Sequence, residues 1–426
     1  MALHSIPPRI LSALLFAALL CVLPLHTAAA AQADLLSPET LSAVGDFRLV
    51  ATNGERSWTK GGFGKARFGG ADDRDFKVRP VAGEAALIWQ PRLTWSLSGT
   101  VVAAVQQGQE HPVDLVEAYL TLKPLPHGST RLSGRAGLFW PQISLEHQGP
   151  AWSVADMITP SAINSWIGEE VKVVGAEASI AEDLGGNQLS GTVGVFGFND
   201  TAGTMLAFRG WALHDLKATA FGHQRLPPLG EDLEYYQAAR TRPLIEIDDR
   251  PGFYGRLAWR MAAPVTLSAF YYRNRARPEA KTRALQWGWN TVFWNLGARV
   301  DLSSNTKILV QALTGWTEMG FERDDHYWVE TRFRSAYLRL SHQIGAVTLS
   351  GRTDWFGTRE RGSRMERDES ERGWAGTAAA SWKLSSHVNL LGEVLHIASK
   401  RGNRDRLALA PHQAQTVVQA SLRLTL

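Results

Sequence analysis

The chain has 426 residues, of which 44% are hydrophobic and 20% charged, and its 45 lysines and arginines nearly balance 41 aspartates and glutamates. A net charge of +4 is too small for a nucleic-acid-binding surface, so we expect no nucleic-acid partner. The normal charged fraction also excludes a bundle of membrane-spanning helices.

The first 33 residues have the layout of a secretory signal peptide. Arg9 precedes the apolar run Ile10–Leu25, and the small-residue segment Thr27–Ala33 follows it. We predict that residues 1–33 are cleaved after Ala33, the alternative being an uncleaved anchor helix. The single cysteine of the chain falls within the apolar run, so the mature protein has no disulfide.

From residue 34 onward, apolar and polar residues alternate with the period of two that is typical of strands. Near the carboxyl end, for example, Val418 and Leu422 fall on one face while Gln419 and Arg423 fall on the other. The alternation predicts sixteen strands, at residues 45–54, 79–90, 93–106, 113–123, 129–141, 169–181, 187–198, 252–262, 265–275, 285–302, 306–319, 328–343, 346–357, 372–383, 387–399 and 413–426.

These strands fit either a soluble sandwich or a transmembrane barrel. Their length and the strict alternation of tight and long connections favour the barrel, with short periplasmic turns and long outer loops. We therefore predict an all-β fold: one antiparallel transmembrane barrel of about 16 strands (14–18) formed by residues 34–426. Tryptophans near strand ends are expected to form interfacial girdles: Trp89, Trp140, Trp259, Trp287, Trp289, Trp316, Trp328, Trp355 and Trp382.

Three long loops lie near residues 54–78, 142–168 and 199–251. A wide barrel leaves an aqueous channel, and we expect the loop at 142–168 to fold into it, with a helical turn at Ser153–Ile158. Its carboxylates would then face Arg131 and Arg135 across a narrow eyelet; a lid outside the barrel is the alternative. The expected constriction residues are Trp152, Asp156, Asn164, Trp166 and, at the start of the next strand, Glu169.

Strand parity also predicts which charged side chains face the lumen. Eight are basic and six acidic, a balance that allows a mild anion preference or, alternatively, a network of wall-to-wall ion pairs. The inward set is Glu84, Glu117, Arg131, Arg135, Glu177, Arg256, Arg299, Asp301, Lys307, Arg339, Arg352, Asp354, Glu393 and Arg423.

Other chemistry has little support in the sequence. Glu246, Asp248 and Asp249 could hold Ca²⁺, but they lack the spacing of a dedicated calcium loop, and an arginine-paired turn is favoured. The common hydrolase, zinc-protease and phosphate-loop motifs are missing from the sequence. We therefore expect no metal, no cofactor and no enzymatic activity.

The segments EAYLTLKP, GRAGLFWPQISLEHQGPAWS and TPSAINSWIGEEVKVVGAE lie within Glu117–Ala178. This region resembles outer-membrane porins of the phosphate- and polyphosphate-selective O and P type, and most closely an alphaproteobacterial porin-like group. The resemblance implies a homotrimeric diffusion channel for small polar or anionic solutes, with the third loop as its constriction. It also implies a bacterial outer-membrane location, contact with lipid and lipopolysaccharide, and insertion by the barrel assembly machinery. The alternatives are a closed barrel acting as an adhesin or scaffold, and an outer-membrane hydrolase.

Overall fold

The computed structural model describes residues 35–71, 73–364 and 369–426, so the predicted signal peptide lies outside the described residues. Sixteen antiparallel strands form one closed barrel, which confirms the predicted fold class and strand number. The barrel strands are β1 (Leu41–Gly54), β2 (Asp73–Trp89), β3 (Leu97–Gln106), β4 (Asp114–Leu122), β5 (Thr130–Phe139), β6 (Val173–Leu184), β7 (Asn187–Gly197), β8 (Gly252–Arg260), β9 (Val265–Arg273), β10 (Asn290–Asp301), β11 (Thr306–Arg323), β12 (His326–Ile344), β13 (Val347–Glu360), β14 (Glu371–Lys383), β15 (Val388–Arg401) and β16 (His412–Thr425).

Each strand pairs with its neighbour in the sequence, and β1 closes the barrel against β16. That seam runs from the pair Val44–Thr425 to the pair Thr52–Val417. Both chain ends of the barrel therefore lie beside the tight turns, which is the periplasmic end in barrels of this class. The long connections all lie at the opposite end, where the outer loops begin.

Three predicted strands begin four or five residues too early, and the first of them, predicted at 93–106, starts at Leu97. The strand predicted at 169–181 starts at Val173, because Ala162–Glu170 forms a helix, α1, whose first turn is capped by the Ser161 hydroxyl. The strand predicted at 285–302 starts at Asn290, because the preceding residues belong to an outer loop.

The helical turn predicted at Ser153–Ile158 is wrong. In this loop the structure has one 3₁₀ turn, at Pro150–Trp152, and the helix of the loop is α1, further along the chain. Two shorter helices, α2 (Thr204–Phe208) and α3 (Glu231–Glu234), lie in the loop after β7. None of the helices in the described ranges has the length and apolar character needed to cross a bilayer.

The outer surface of the barrel carries an apolar belt. Val193, Leu257 and Leu296 are 67%, 63% and 56% exposed, which a sheet facing water on that side would not favour. Alternate residues of the same strands face inward and many are polar, such as Thr192, Arg256 and Asn295, so the barrel has the inverted arrangement of a membrane protein. This architecture places the protein in a bacterial outer membrane.

The aromatic girdle is only partly as predicted. Trp259, Trp316, Trp355 and Trp382 are exposed on the outer surface, between 40% and 52%. Three others are buried instead, and their assignment to the girdle is wrong. Trp287 and Trp289 pack under the outer loops, and Trp140 turns into the lumen, where its indole N–H donates to the carbonyl of Ile167.

A charge on the apolar belt should destabilise the barrel far more than the same charge on the inner wall. Leu257 faces lipid, and Ser190, which pairs with Ala258 at nearly the same depth, faces the lumen. We expect Leu257→Arg to lower the free energy of unfolding by up to about 2–4 kcal/mol, which is the cost of an arginine that faces lipid at the bilayer midplane. Ser190→Arg should cost much less, because its side chain reaches water. Urea titration in lipid vesicles measures both, and equal losses would contradict the inside–outside assignment.

Candidate functional site

Two loops fold into the lumen and fill much of it. The third loop (residues 140–172) carries α1, all nine residues of which are buried, and α1 packs against β11, β12 and β13. The fourth loop (residues 198–251) carries α2, which is also buried and contacts β12 and β13. Because both loops lie inside the wall, the inward side chains of these strands contact protein rather than an open channel.

Arg352 on β13 is the main clamp on the third loop. Its guanidinium donates to the carbonyl oxygens of Thr159 (2.7 Å) and Pro160 (3.0 Å). It also forms ion pairs with Asp354 on its own strand (2.8 Å) and with Glu146 in the loop (3.3 Å), and all three side chains are fully buried. A buried arginine is stable only with such complete pairing, so the wall and the loop depend on each other at this point.

Wall carboxylates bind the backbone of the same segment. Asp354 accepts from the N–H of Ala162 (3.0 Å), and Glu393 accepts from the N–H of Ile158 (2.8 Å) and of Thr159. On β16, Arg423 donates to the carbonyl of Val154 (2.8 Å). Charge-assisted hydrogen bonds of this kind are stronger than neutral ones, so they hold an irregular segment in place inside the barrel.

Asp156 does not meet the arginines predicted for it. It pairs with Lys307 (2.8 Å) and Arg339 (3.1 Å) on the opposite wall. Arg135 instead pairs with Glu177 (2.7 Å), which lies directly opposite it in the β5–β6 register. The prediction of a transverse field between the carboxylates of the loop and Arg131 and Arg135 is therefore wrong.

Arg131 lies at the tight-turn end of β5 and pairs with Asp183. Arg299 and Asp301 also pair within their own strand (2.9 Å), and both side chains are more than a third exposed. Arg256 faces the lumen, and its guanidinium forms no hydrogen bond or ion pair with another described residue. Most inward basic side chains are thus neutralised by a neighbouring carboxylate, whereas Arg256 has only a longer-range interaction with Glu177, which is itself paired with Arg135.

Aromatic side chains fill the space between the two loops. Trp152 stacks on Trp140, with ring centroids 4.2 Å apart, and on the ring of His147. Trp166 of α1 packs edge-on against Phe293 of the wall and Trp211 of the fourth loop. These contacts make the third and fourth loops one packed unit.

The side chain of Asn164 lies in the polar part of the same unit. Its amide donates to Glu146 (2.6 Å) and to the amide oxygen of Gln311 on β11 (2.9 Å). Gln311 was not predicted as a site residue, although it lies on the inward face of its strand. It also accepts from the N–H of Leu145 (3.1 Å), so it joins α1 and the start of the loop to the wall.

A buried ion pair joins the third loop to the fourth. Glu169 of α1 and Arg209, just after α2, form a bidentate pair at 2.6 and 2.7 Å, with His214 at 3.3 Å from the same carboxylate. Although burial opposes ionisation, the Arg209 guanidinium lowers the pKa of Glu169 to about 2. The carboxylate therefore stays ionised at neutral pH. We call the pair of Glu169 and Arg209 the latch.

Other polar contacts tie the fourth loop to the wall. Lys217 pairs with Glu84 on β2 (2.5 Å), and Asp215 pairs with Arg48 on β1 (2.6 Å). Glu117, which was predicted to face the lumen, is a buried residue of β4. Arg209 and Asp215 were missed in the sequence, because their partners lie 40 or more residues away and no local pattern marks them. Arg48 was missed as well, although it also pairs with Asp46 two residues earlier on its own strand.

At the tight-turn end the lumen remains polar and partly exposed. The inward side chains of β5 to β10 there are half-buried rather than buried, unlike those that contact the third loop. They form what we call the inner vestibule: Ser133, Ser179, Ser190, Arg256, Thr266 and Arg299.

The acidic residues singled out for calcium are only partly together. Glu246 and Asp248 lie beside Asp200, with carboxylate oxygens of the three within 4.8 Å of one another, whereas Asp249 is exposed. Asp248 also contacts the guanidinium of Arg277 (3.3 Å), which agrees with an arginine-paired turn.

Comparisons with known proteins identify the fold but no family. No family model matches the chain, and a search of characterised proteins found no match. Among solved structures, the outer-membrane channel DcaP of Acinetobacter baumannii is 10% identical, with a TM-score of 0.52 over 92% of this chain and 99% of that chain. A loop-deletion mutant of OmpT, an outer membrane protein of Vibrio cholerae, is 7% identical, with a TM-score of 0.50 over 91% and 99%. This chain therefore has the fold of outer-membrane β-barrels.

Proposed function

We propose that the protein is an outer-membrane channel for passive diffusion of small hydrophilic solutes, and that the third and fourth loops occlude it in the conformation described. The proposal rests on how the loops are attached to the barrel wall. Charged side chains of the wall form hydrogen bonds with the loop backbone, as at Arg352 and Glu393. Such contacts can exchange with water when a loop moves, and the inner vestibule is already polar.

Further features of the proposal rest on the resemblance to porins of the O and P type. The protein would form a homotrimer, be inserted by the barrel assembly machinery, contact lipopolysaccharide and have no enzymatic activity. The third loop would set the width of the passage, as the resemblance implies. The inward charged residues predicted from strand parity would line the wall of that passage. The fourth loop adds a second obstruction, which solutes can pass only when it is displaced.

The aromatic packing inside the lumen favours a second candidate, a permanently closed barrel that serves as an adhesin or scaffold. Trp166, Trp211 and Phe333 lie in one apolar cluster there. Liposome swelling separates the two candidates. A channel admits small sugars and amino acids and excludes larger solutes, whereas a closed barrel admits none.

A mild anion preference is part of the proposal and depends on Arg256, the unpaired inward cation of the vestibule. We expect Arg256→Gln to move the reversal potential under a KCl gradient toward the value of a non-selective pore, because a wall charge acts on permeating ions through its field. Arg299→Gln is the matched control, since that arginine is neutralised by Asp301. Equal shifts in the two variants would show that Arg256 has no special role.

A further inference from the structure

Two cavities lie on the side of the lumen that β1, β2 and β3 form. The outer one, of ≈ 320 Å³, lies between the first, second and fourth loops. The inner one, of ≈ 20 Å³, lies between the third loop, the fourth loop and the wall, and has room for about one water molecule. Lys217 of the fourth loop lines both cavities, so this one side chain borders the outer and the inner space.

The ammonium of Lys217 joins three parts of the protein. It binds both carboxylate oxygens of Glu84 on β2, at 2.5 and 2.7 Å, and it donates to the carbonyl of Ala151 in the third loop, at 2.6 Å. Glu84 also lines the inner cavity. A single side chain of the fourth loop therefore holds the third loop and the wall together where the two cavities meet. We call this set of contacts the junction.

The backbone of the third loop is strained at the junction. Ala151 and Trp152 have φ angles of 49° and 55°, and positive φ is unfavourable for residues that carry a β-carbon. Such a conformation persists only where surrounding contacts hold it. Because the Ala151 carbonyl is bound by Lys217, loss of this contact lets the two residues relax and frees the segment to move.

The inner cavity leads toward the tight-turn end of the barrel. Val44 on β1 lines it, and Val44 pairs with Thr425 at the end of the seam between β1 and β16. The next inward residue toward the turn, Ser42, is half-buried, as are the side chains of the inner vestibule. Beyond the inner cavity the lumen is therefore already partly exposed.

The opposite side of the lumen is closed by apolar packing. Trp166 of α1 contacts Phe293 on β10 and Phe333 on β12, with ring centroids 5.2 and 5.3 Å apart, and all three side chains are buried. A polar solute that entered there would displace aromatic rings and leave its own polar groups unpaired. At the junction it meets charged groups and a backbone carbonyl, with which it can exchange hydrogen bonds.

We propose that the path through the barrel runs along β1, β2 and β16, and that the junction at Lys217 is its gate. The proposal rests on the diffusion function proposed above, and adds where solutes pass and which contact controls their passage. When Lys217 leaves Glu84 and Ala151, the outer and inner cavities join, while the aromatic side stays packed. A small solute with polar or charged groups then takes the place of the broken contacts.

Planar-bilayer recording of Lys217→Gln tests the gate. Glutamine keeps a polar side chain but lacks the ammonium, so we expect open events severalfold more frequent than in the wild type. Glu84→Gln weakens the same contact from the wall and should give the same change. Lys307→Gln is the matched control, because Lys307 also joins the wall to a loop carboxylate, that of Asp156 (2.8 Å), but lines neither cavity. Heat-modifiability on gels checks that each variant is folded.

Single cysteines in the Lys217→Gln background locate the path, because the predicted mature chain has no cysteine of its own. Val44→Cys places a thiol at the inner cavity, and Leu313→Cys places one on β11, within the apolar packing of the opposite side. A charged methanethiosulfonate reagent should strongly reduce the current of the Val44→Cys protein. The current of the Leu313→Cys protein should stay unchanged.

Two results would overturn the proposal. One is an unchanged frequency of open events in both Lys217→Gln and Glu84→Gln. The other is a block at Leu313→Cys without a block at Val44→Cys. A deletion of Gly149–Ile163 separates failure of the gate from failure of the diffusion function. Conductance steps in the deletion variant, with Lys217→Gln unchanged, would reject the gate alone, whereas the absence of steps in every folded variant would reject the diffusion function and the gate with it.

Discussion

Replacing Arg352 with glutamine is expected to raise the single-channel conductance severalfold while the barrel stays folded. The variant leaves Glu146 and Asp354 buried without their guanidinium, and breaking a buried ion pair in this way costs about 3–5 kcal/mol. It also removes the donors to the carbonyls of Thr159 and Pro160. The loss falls mainly on the attachment of the third loop, because the backbone hydrogen bonds between strands do not involve this side chain, which reaches the next strand only through the hydroxyl of Thr377 (3.3 Å).

The matched control for Arg352 is Arg299→Gln. Both are inward arginines paired with an aspartate two residues further along the strand, but Arg299 has no hydrogen bond to a loop and is 37% exposed. Planar-bilayer recording of both variants, with heat-modifiability on gels as the check of folding, gives the comparison. An unchanged conductance in Arg352→Gln, with the barrel folded, would show that the third loop does not limit the passage.

Breaking the latch is expected to release the fourth loop. Arg209→Gln leaves the Glu169 carboxylate buried with only His214 beside it, so the closed arrangement should lose about 3–5 kcal/mol. Glu169→Gln should lose a similar amount, because it leaves the guanidinium unpaired. We expect each single variant to show more frequent open events in planar bilayers than the wild type.

The double variant Glu169→Gln/Arg209→Gln distinguishes a specific latch from general damage. Because it removes both charges, its effect should be smaller than the sum of the two single effects. Arg250→Gln, which removes a half-exposed arginine from the same loop, is the control and should leave the open events unchanged. Additive effects of the two latch substitutions would mean that the pair does not act as a unit.

The barrel could be predicted from the sequence because strand periodicity is a local property. Alternation at positions such as Val418 and Gln419 marks the two faces without any knowledge of the partner strand, and the tight turns fix the order of the strands. The same parity indicated that Arg352, Asp354 and Arg423 face inward, and the structure places all three against the third loop.

The pairing of these charges could not be predicted in the same way. Arg135 binds Glu177 because the β5–β6 register sets them directly opposite, and the sequence does not fix that register. Glu169 and Arg209 are 40 positions apart, in loops whose path depends on tertiary packing. The start of α1 has one local signal, the capping residue Ser161, which sequence analysis overlooked in favour of an earlier turn.

The proposed function requires a continuous passage through the barrel that the third and fourth loops obstruct. Single-channel conductance in planar bilayers tests it most directly, with the wild type, a deletion of Gly149–Ile163, and a variant in which residues 203–217 are replaced by a short glycine–serine linker. The account predicts small or infrequent ohmic steps for the wild type and severalfold larger or more frequent steps for both variants. If none of the three folded proteins gave conductance steps at any salt concentration, the proposed channel would be contradicted and a permanently closed barrel would be favoured.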